Sequence, residues 1–234
     1  MAAQLSTRVA ETGQRRGAPG PGDGLHGRAG GVPAAHLCIA RHGETDWNKK
    51  GVLQGWLDVP INALGRQQAH AMAQPLADAG FSAIWSSPLV RARETAEIVA
   101  AALGLPPPSC HEGLKEKHFG AVQGIPKQEL AELNPVLLEQ ILRRNPAAEF
   151  AGGETMDEFA DRVLGAFDTI GQHHPGQRVL VITHGWVMDV VTRHIQGLAR
   201  TAVLHMKRKN GECVWVEVAQ HAQAFALQPR AWHP

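Results

Sequence analysis

The stretch HLCIARHGETDWN, residues 36 to 48, starts as an apolar run, passes through Arg41, His42 and Gly43, and then turns polar. A short continuous apolar segment such as HLCIA (36–40) fits a strand buried on both faces, as in a parallel sheet covered by helices. A histidine between a guanidinium and a glycine where such a strand ends calls for a chemical reading as well as a packing one.

Outward from this stretch, strands and helices alternate. NALGRQQAHAMAQPLADAG (62–80) has apolar residues at helical spacing, with Asn62 as N-cap and Gly80 as stop. FSAIWSS (81–87) reads as a second strand and PLVRARETAEIVAAALG (88–104) as a helix opened by Pro88 and closed by Gly104. QRVLVITHG (177–185) is a third buried strand leading into the helix WVMDVVTRHIQG. TAVLHMKRKNGECVWVEVA (201–219) reads as a hairpin turning at Asn210-Gly211. The alternation predicts an α/β fold with a mostly parallel central sheet.

Before residue 36 the pattern is absent. Residues 1–35 hold eight glycines and three prolines, with apolar residues too sparse to offset the entropy of ordering them. They are expected to form a disordered tail, leaving 36–234 as one domain. Lys plus Arg number 23 against 22 Asp plus Glu, a net charge of +1, so there is no global attraction to nucleic acid or to a membrane surface. Any anion site must be local. No apolar run is long enough for a membrane span. Cys38, Cys110 and Cys213 are odd in number and widely separated, which argues against a disulfide framework or a zinc ribbon and for a reducing, cytoplasmic setting.

Three segments occupy equivalent places. Arg41-His42-Gly43, Ser86-Ser87 through Arg91, and Thr183-His184-Gly185 each follow a strand. Loops beyond the carboxyl ends of parallel strands converge on one crevice, so two histidines and two arginines are expected to share a pocket. Such a pocket is rich in donors and poor in acceptors, and it suits a compact, multiply charged oxyanion such as a phosphoryl group. Helix N-termini after the strands add amide donors. Positive surroundings should hold the histidine pKa below about 6.5, leaving a ring nitrogen free to attack phosphorus.

RHGETDWN, GVLQGWLDVPINALGRQQA, SSPLVRARETA, LKEKHFGAVQG, GGET and VLVITHG, in that order, resemble the histidine phosphatase superfamily, the phosphoglycerate mutase-like proteins, over roughly residues 36–198. The resemblance implies a three-layer α/β/α sandwich and a covalent phosphohistidine. By position it makes His42 the nucleophile, Arg41, Arg91 and His184 the phosphate pocket, and Glu116 the proton donor. Asn48 and Gly185 match neighbouring phosphoryl-binding positions, and Gln54-Gly55 lies in a loop that edges the substrate mouth in the phosphatase branch.

These matches imply a metal-independent phosphomonoesterase acting on small phosphorylated metabolites without a cofactor. The alternatives are a phosphoglycerate mutase dependent on 2,3-bisphosphoglycerate and a catalytically silent phospho-ligand-binding module. Keeping a proton donor beside the charged pocket argues against the silent module. The cap, about 117–153, reads as an amphipathic helix with Arg143 and Arg144 near its end, which either bind a second anion or serve as helix-terminal charges. His111, His118, His173 and His174 lack carboxylate or cysteine partners at ligand spacing, so they are read as solvated or core residues and no metal is expected. Lys127 is read as a surface lysine and the tryptophans as core or rim packing. The apolar face of the C-terminal hairpin either pairs with a second copy in a homodimer or covers the sheet edge of its own subunit.

Overall fold

The first buried strand, β1, runs Ala35–Arg41 in the computed structural model, which describes residues 32–206, 208–220 and 225–229. Most of the expected tail, residues 1–31, lies outside the described residues. The domain starts slightly before residue 36, because Ala35 is already in the strand and the Pro33 carbonyl accepts the Gly176 amide at 3.1 Å.

After β1 come α1 (Asp46–Lys50), α2 (Ala63–Ala73), β2 (Ala83–Ser86), α3 (Val90–Leu103), β3 (Ser109–Cys110), α4 (Lys127–Leu133) and α5 (Pro135–Leu142). The chain then forms α6 (Met156–His173), β4 (Arg178–Thr183), α7 (Gly185–Ile195), β5 (Cys213–Gln220) and β6 (Phe225–Pro229). The strands lie in the order β3-β2-β4-β1-β5-β6. β1 to β4 are parallel, whereas β5 runs antiparallel to both β1 and β6. Strand alternation divides the core between two faces. Leu37 and Ile39 of β1 pack with α6 and α7, and Cys38 and Ala40 pack with α2 and α3. This is the expected three-layer α/β/α sandwich.

Several boundaries differ from the sequence reading, each for a local reason. α2 ends at Ala73 rather than reaching Gly80, because Pro75 lacks an amide donor and the chain tightens into a 3-10 turn over Gln74–Leu76. α3 begins at Val90 rather than Pro88, and the Asp58 carboxylate caps it from another loop by accepting the Val90 amide at 2.6 Å. The cap is two helices rather than one. Pro135 cannot continue α4, and Asn134 restarts the chain as N-cap of α5, its side chain accepting the Leu137 amide at 2.9 Å. The long α6, unassigned from the sequence, opens with a Thr155–Glu158 capping box and buries Phe159, Val163, Phe167 and Ile170 at helical spacing.

Among the described residues of 201–210 there is no strand to form the expected hairpin through Asn210-Gly211. β5 pairs with β1 on one side and β6 on the other, so it covers its own subunit's sheet rather than turning back on residues 201–209. Arg208 is instead buried against Asp189 of α7. Among the described residues no helix is long and apolar enough to cross a membrane.

Candidate active site

The carboxyl ends of β1, β2 and β4 lie side by side, because β4 sits between the other two. A cavity of about 340 Å³ opens there, within the size range of small-molecule sites. Arg41, His42, Arg91 and Glu116 line it, with Asn48 and Gly185 beside them. Gln54 and Gly55 also reach the cavity, while His184 is fully buried next to His42.

His42 is fixed at both main-chain ends. Its amide donates to the Thr183 carbonyl at 3.0 Å, and its carbonyl accepts Nδ2 of Asn210 at 2.7 Å. Its Nδ1 lies 2.7 Å from the Gly43 carbonyl oxygen. A carbonyl can only accept, so Nδ1 carries the ring proton and Nε2 keeps its lone pair. Gly43 is required where the loop presses on α2, since a Cβ there would lie 2.5 Å from the Gly65 carbonyl oxygen. Burial, then Arg91 and Arg41, push the His42 pKa well below its ordinary value against the opposing Gly43 bond.

His184 N-caps α7 and is likewise held neutral, first by burial and then by Arg91, His42, Arg41 and Arg162. Ser87 Oγ accepts the Leu89 amide at 3.3 Å and lies 2.8 Å from Nε2 of His184, so Nε2 is engaged by the hydroxyl. Nδ1 of His184 is buried and has no partner among the described residues. It is the ring nitrogen left for a ligand.

The arginines are oriented by main-chain carbonyls rather than by carboxylates, which leaves their charge for a ligand. Arg91 donates to Gly55 at 2.7 Å and Leu57 at 3.0 Å, and burial above all draws its pKa down to about 10. Gly55 therefore holds Arg91 through its carbonyl. Arg41 donates to the Arg208 carbonyl at 2.5 Å. The Nε atoms of both arginines are buried without a partner among the described residues. Asn48 uses its Oδ1 to accept the Thr45 amide at 3.1 Å, which leaves Nδ2 for the cavity, and Gln54 accepts the Thr45 hydroxyl at 3.0 Å.

Glu116 projects from a loop that Arg162 gathers, donating to the carbonyls of Gly113, Lys115 and Glu116 at 3.0 to 3.2 Å. Arg162 is itself clamped by Glu154 at 2.7 and 2.8 Å, and Glu154 also accepts the His118 amide, so the GGET segment serves as the loop's anchor. Trp56 Nε1 donates to the Glu116 carbonyl at 2.7 Å and ties the LQGW loop to it. Burial pushes the Glu116 pKa up, while Arg144, the Lys117 amide, Arg91 and Arg41 pull it back.

The far wall is closed by Arg144, one of the two cap arginines offered for a second anion, together with residues to which the sequence assigned no role in the site. Arg144, Trp186, Arg208 and Asn210 line the cavity, and buried Asp189 pairs with Arg144 and Arg208. Asp189 had a signal, since a carboxylate within the apolar helix run GWVMDVV requires a buried partner. Lys127, read as a surface residue, also lines the cavity at the start of α4. His111 and His118 each accept a nearby amide through Nδ1, and His174 accepts Trp85 Nε1 at 2.9 Å. Among the described residues no three His, Cys, Asp or Glu side chains are grouped to hold a metal ion.

Comparison with known proteins agrees with this geometry. The family model for the histidine phosphatase superfamily, branch 1, matches residues 37–228. Phosphoglycerate mutase-like protein 4 of Arabidopsis thaliana is 38% identical over 210 residues, covering 84% of this chain and 91% of that protein. The uncharacterized phosphatase PhoE of Bacillus subtilis is 34% identical over 161 residues, 69% of this chain and 77% of its own. The solved structure of Bacillus stearothermophilus YhfR superposes with a TM-score of 0.75 at 29% identity, covering 84% of this chain and 96% of that one. With the sandwich, the crevice at the strand ends and this likeness in agreement, the chain belongs to the histidine phosphatase superfamily, branch 1.

Proposed function

We propose that the protein is a phosphomonoesterase that hydrolyses small phosphorylated metabolites through a phosphohistidine on His42. The observation that carries this reading is the lone pair on Nε2 of His42, set by the Gly43 carbonyl and facing an arginine-walled cavity. In the first step Nε2 attacks phosphorus in line and the bond to the ester oxygen breaks. Arg41, Arg91, Asn48, His184 through Nδ1 and the Gly185 amide hold the three equatorial oxygens, on which charge is spread in the transition state. Glu116, whose pKa burial raises, gives its proton to the departing alkoxide. In the second step the Glu116 carboxylate takes a proton from water as the oxygen attacks phosphorus. The histidine–phosphorus bond breaks, and inorganic phosphate and neutral His42 are regenerated.

A phosphoglycerate mutase would use the same intermediate, but the cap favours hydrolysis. Of the two adjacent arginines only Arg144 reaches the cavity, since the Arg143 side chain is 71% exposed and paired with Glu139 on the surface. The proton donor and Gly152 are also close in sequence, which makes for a short cap and leaves water access to the phosphohistidine. We assign the activity to a cytoplasmic, reducing compartment, in keeping with free Cys38, Cys110 and Cys213. The site is proposed to need neither metal nor organic cofactor, nor a nucleic-acid or membrane partner.

The test is phosphate release from a panel of alkyl and aryl phosphomonoesters, with and without chelator, by wild type and His42→Ala. Chelator-resistant release that disappears in the variant supports the reading. Faster interconversion of 2- and 3-phosphoglycerate than phosphate release, dependent on 2,3-bisphosphoglycerate, would replace it with the mutase.

A further inference from the structure

Cys38 and Cys213 stand on adjacent strands and on one face of the sheet. In the antiparallel pairing of β1 with β5, Ala40 lies opposite Cys213 and Cys38 opposite Trp215, so the two cysteines are diagonal neighbours. Both face the layer of α2 and α3, where Cys38 is fully buried and Cys213 packs against the same cluster while keeping part of its surface in solvent. Their thiols share a hydrogen bond, and Cys213 Sγ also lies 3.7 Å from the Gly211 carbonyl oxygen. The third cysteine, Cys110, is on β3 with β2 and β4 between it and β1. At about 4.8 Å per strand it is roughly 14 Å from β1 and out of reach.

The paired thiols are unequal. The bond from Cys38 draws the Cys213 thiol below its ordinary value against burial and Glu212, whereas the same bond and burial push Cys38 well above it. The thiolate is the form that oxidises, and Cys213 is also the half that solvent reaches.

The start of β5 is what holds the end of β1. The Arg41 amide donates to the Glu212 carbonyl at 3.1 Å, and the Arg41 carbonyl accepts the Gly211 amide at 3.2 Å. Asn210 Nδ2 donates to the His42 carbonyl at 2.7 Å. Diagonal neighbours stand about 7–8 Å apart, and a disulfide usually keeps its Cα atoms within about 6.8 Å. Closing a bridge here therefore moves the two segments by on the order of 1 Å, just before Arg41 and His42.

We propose that Cys38 and Cys213 form a reversible disulfide under peroxide, and that this bridge lowers the grip of the neighbouring anion pocket; its effect on catalysis rests on the phosphatase reading of that pocket. The Cys213 thiolate attacks one peroxide oxygen, the O–O bond breaks, and the departing hydroxide takes up the thiol proton as water. The Cys38 sulfur then attacks the Cys213 sulfenic acid, the S–O bond breaks, and a second water leaves with the Cys38 proton. Two thiols lose two electrons and one peroxide becomes two waters; a thiol reductant reverses the bridge.

Peroxide treatment of the full-length protein tests this. Mass mapping without reductant should find the Cys38 and Cys213 peptides joined. Inorganic phosphate should bind at least about tenfold more weakly by calorimetry, and phosphate release from alkyl phosphates should fall at least about tenfold, both recovering with dithiothreitol. Cys110→Ser should behave as wild type, and Cys213→Ser should keep its untreated activity and lose little of it under peroxide. A sulfinic acid on Cys213 with no bridge, or an equal loss in Cys213→Ser, would overturn the inference. A complete bridge that leaves phosphate affinity unchanged would overturn the switch. A bridge that weakens phosphate binding in a protein that hydrolyses no ester would uphold the switch and count against the phosphatase reading. Hydrolysis untouched by a complete bridge would do the reverse.

Discussion

The rings of His42 and His184 lie with centroids 5.1 Å apart and planes tilted by 59°. Two imidazoles this close, beside Arg41 and Arg91, cannot both be protonated without a large electrostatic cost, and burial drives each toward the neutral form. The pocket therefore keeps the His42 ring neutral at neutral pH and reserves its positive charge for a ligand.

That arrangement fixes the pH profile. The proposed mechanism requires deprotonated His42 and protonated Glu116, and their pKa values are displaced from 6.5 downward and from 4.5 upward respectively. The acid limb of kcat/KM should lie well below 6.5 and the basic limb above the ordinary carboxylate range, with the optimum on the acid side of neutrality. Rates on an alkyl phosphate across the pH range measure both limbs. An acid limb at the ordinary histidine value would show that His42 is not held neutral.

Stability should follow the same groups with a definite sign. A base whose folded pKa is depressed binds fewer protons in the folded than in the unfolded state, so stability falls as pH drops through the unfolded value of 6.5. Glu116, with its pKa raised, opposes this only in the range just above 4.5. The thermal midpoint should decline on acidification below 6.5, and His42→Asn should flatten the decline. A midpoint insensitive to pH there would contradict neutral burial of the histidines.

Glu116→Gln should separate substrates by leaving group. An alkoxide needs a proton as it departs and a nitrophenolate barely does, so alkyl phosphates should lose on the order of 10²-fold in rate and p-nitrophenyl phosphate far less. Equal losses would reduce Glu116 to an electrostatic or structural part.

Glu154→Ala should act on the same step from a distance. Removing the carboxylate frees Arg162 and the loop carrying Glu116, at a cost on the order of 2 kcal/mol for a half-buried pair with several bonds. The folded variant should show kcat on alkyl phosphates reduced about tenfold, with affinity for inorganic phosphate little changed. A comparable loss of phosphate affinity would mean that the loop also shapes the anion pocket.

The sandwich and the convergence of the strand ends were legible because they rest on local signals: continuous apolar runs, caps, and Arg-His-Gly or Thr-His-Gly at the runs' ends. The cap and the segment after α7 were not, because tertiary partners decide them. Pro135 splits what periodicity alone joins, and Asn210-Gly211, a good turn dipeptide, bonds to Arg41 and His42 instead of closing a hairpin. Arg144 was visible as a charge, but its place at the cavity depends on Asp189, distant in sequence. The carboxylate in GGET likewise gains its role only once Arg162 of α6 lies beside it.

The central claim is a covalent bond between phosphorus and Nε2 of His42, and rapid quenching during turnover tests it most directly. After quenching at alkaline pH, mass mapping should find an acid-labile phosphoryl group on the peptide containing His42, absent in His42→Ala and formed at a rate matching kcat. Phosphate on another residue, or no phosphohistidine during confirmed turnover with a substrate whose second step is rate-limiting, would contradict the account.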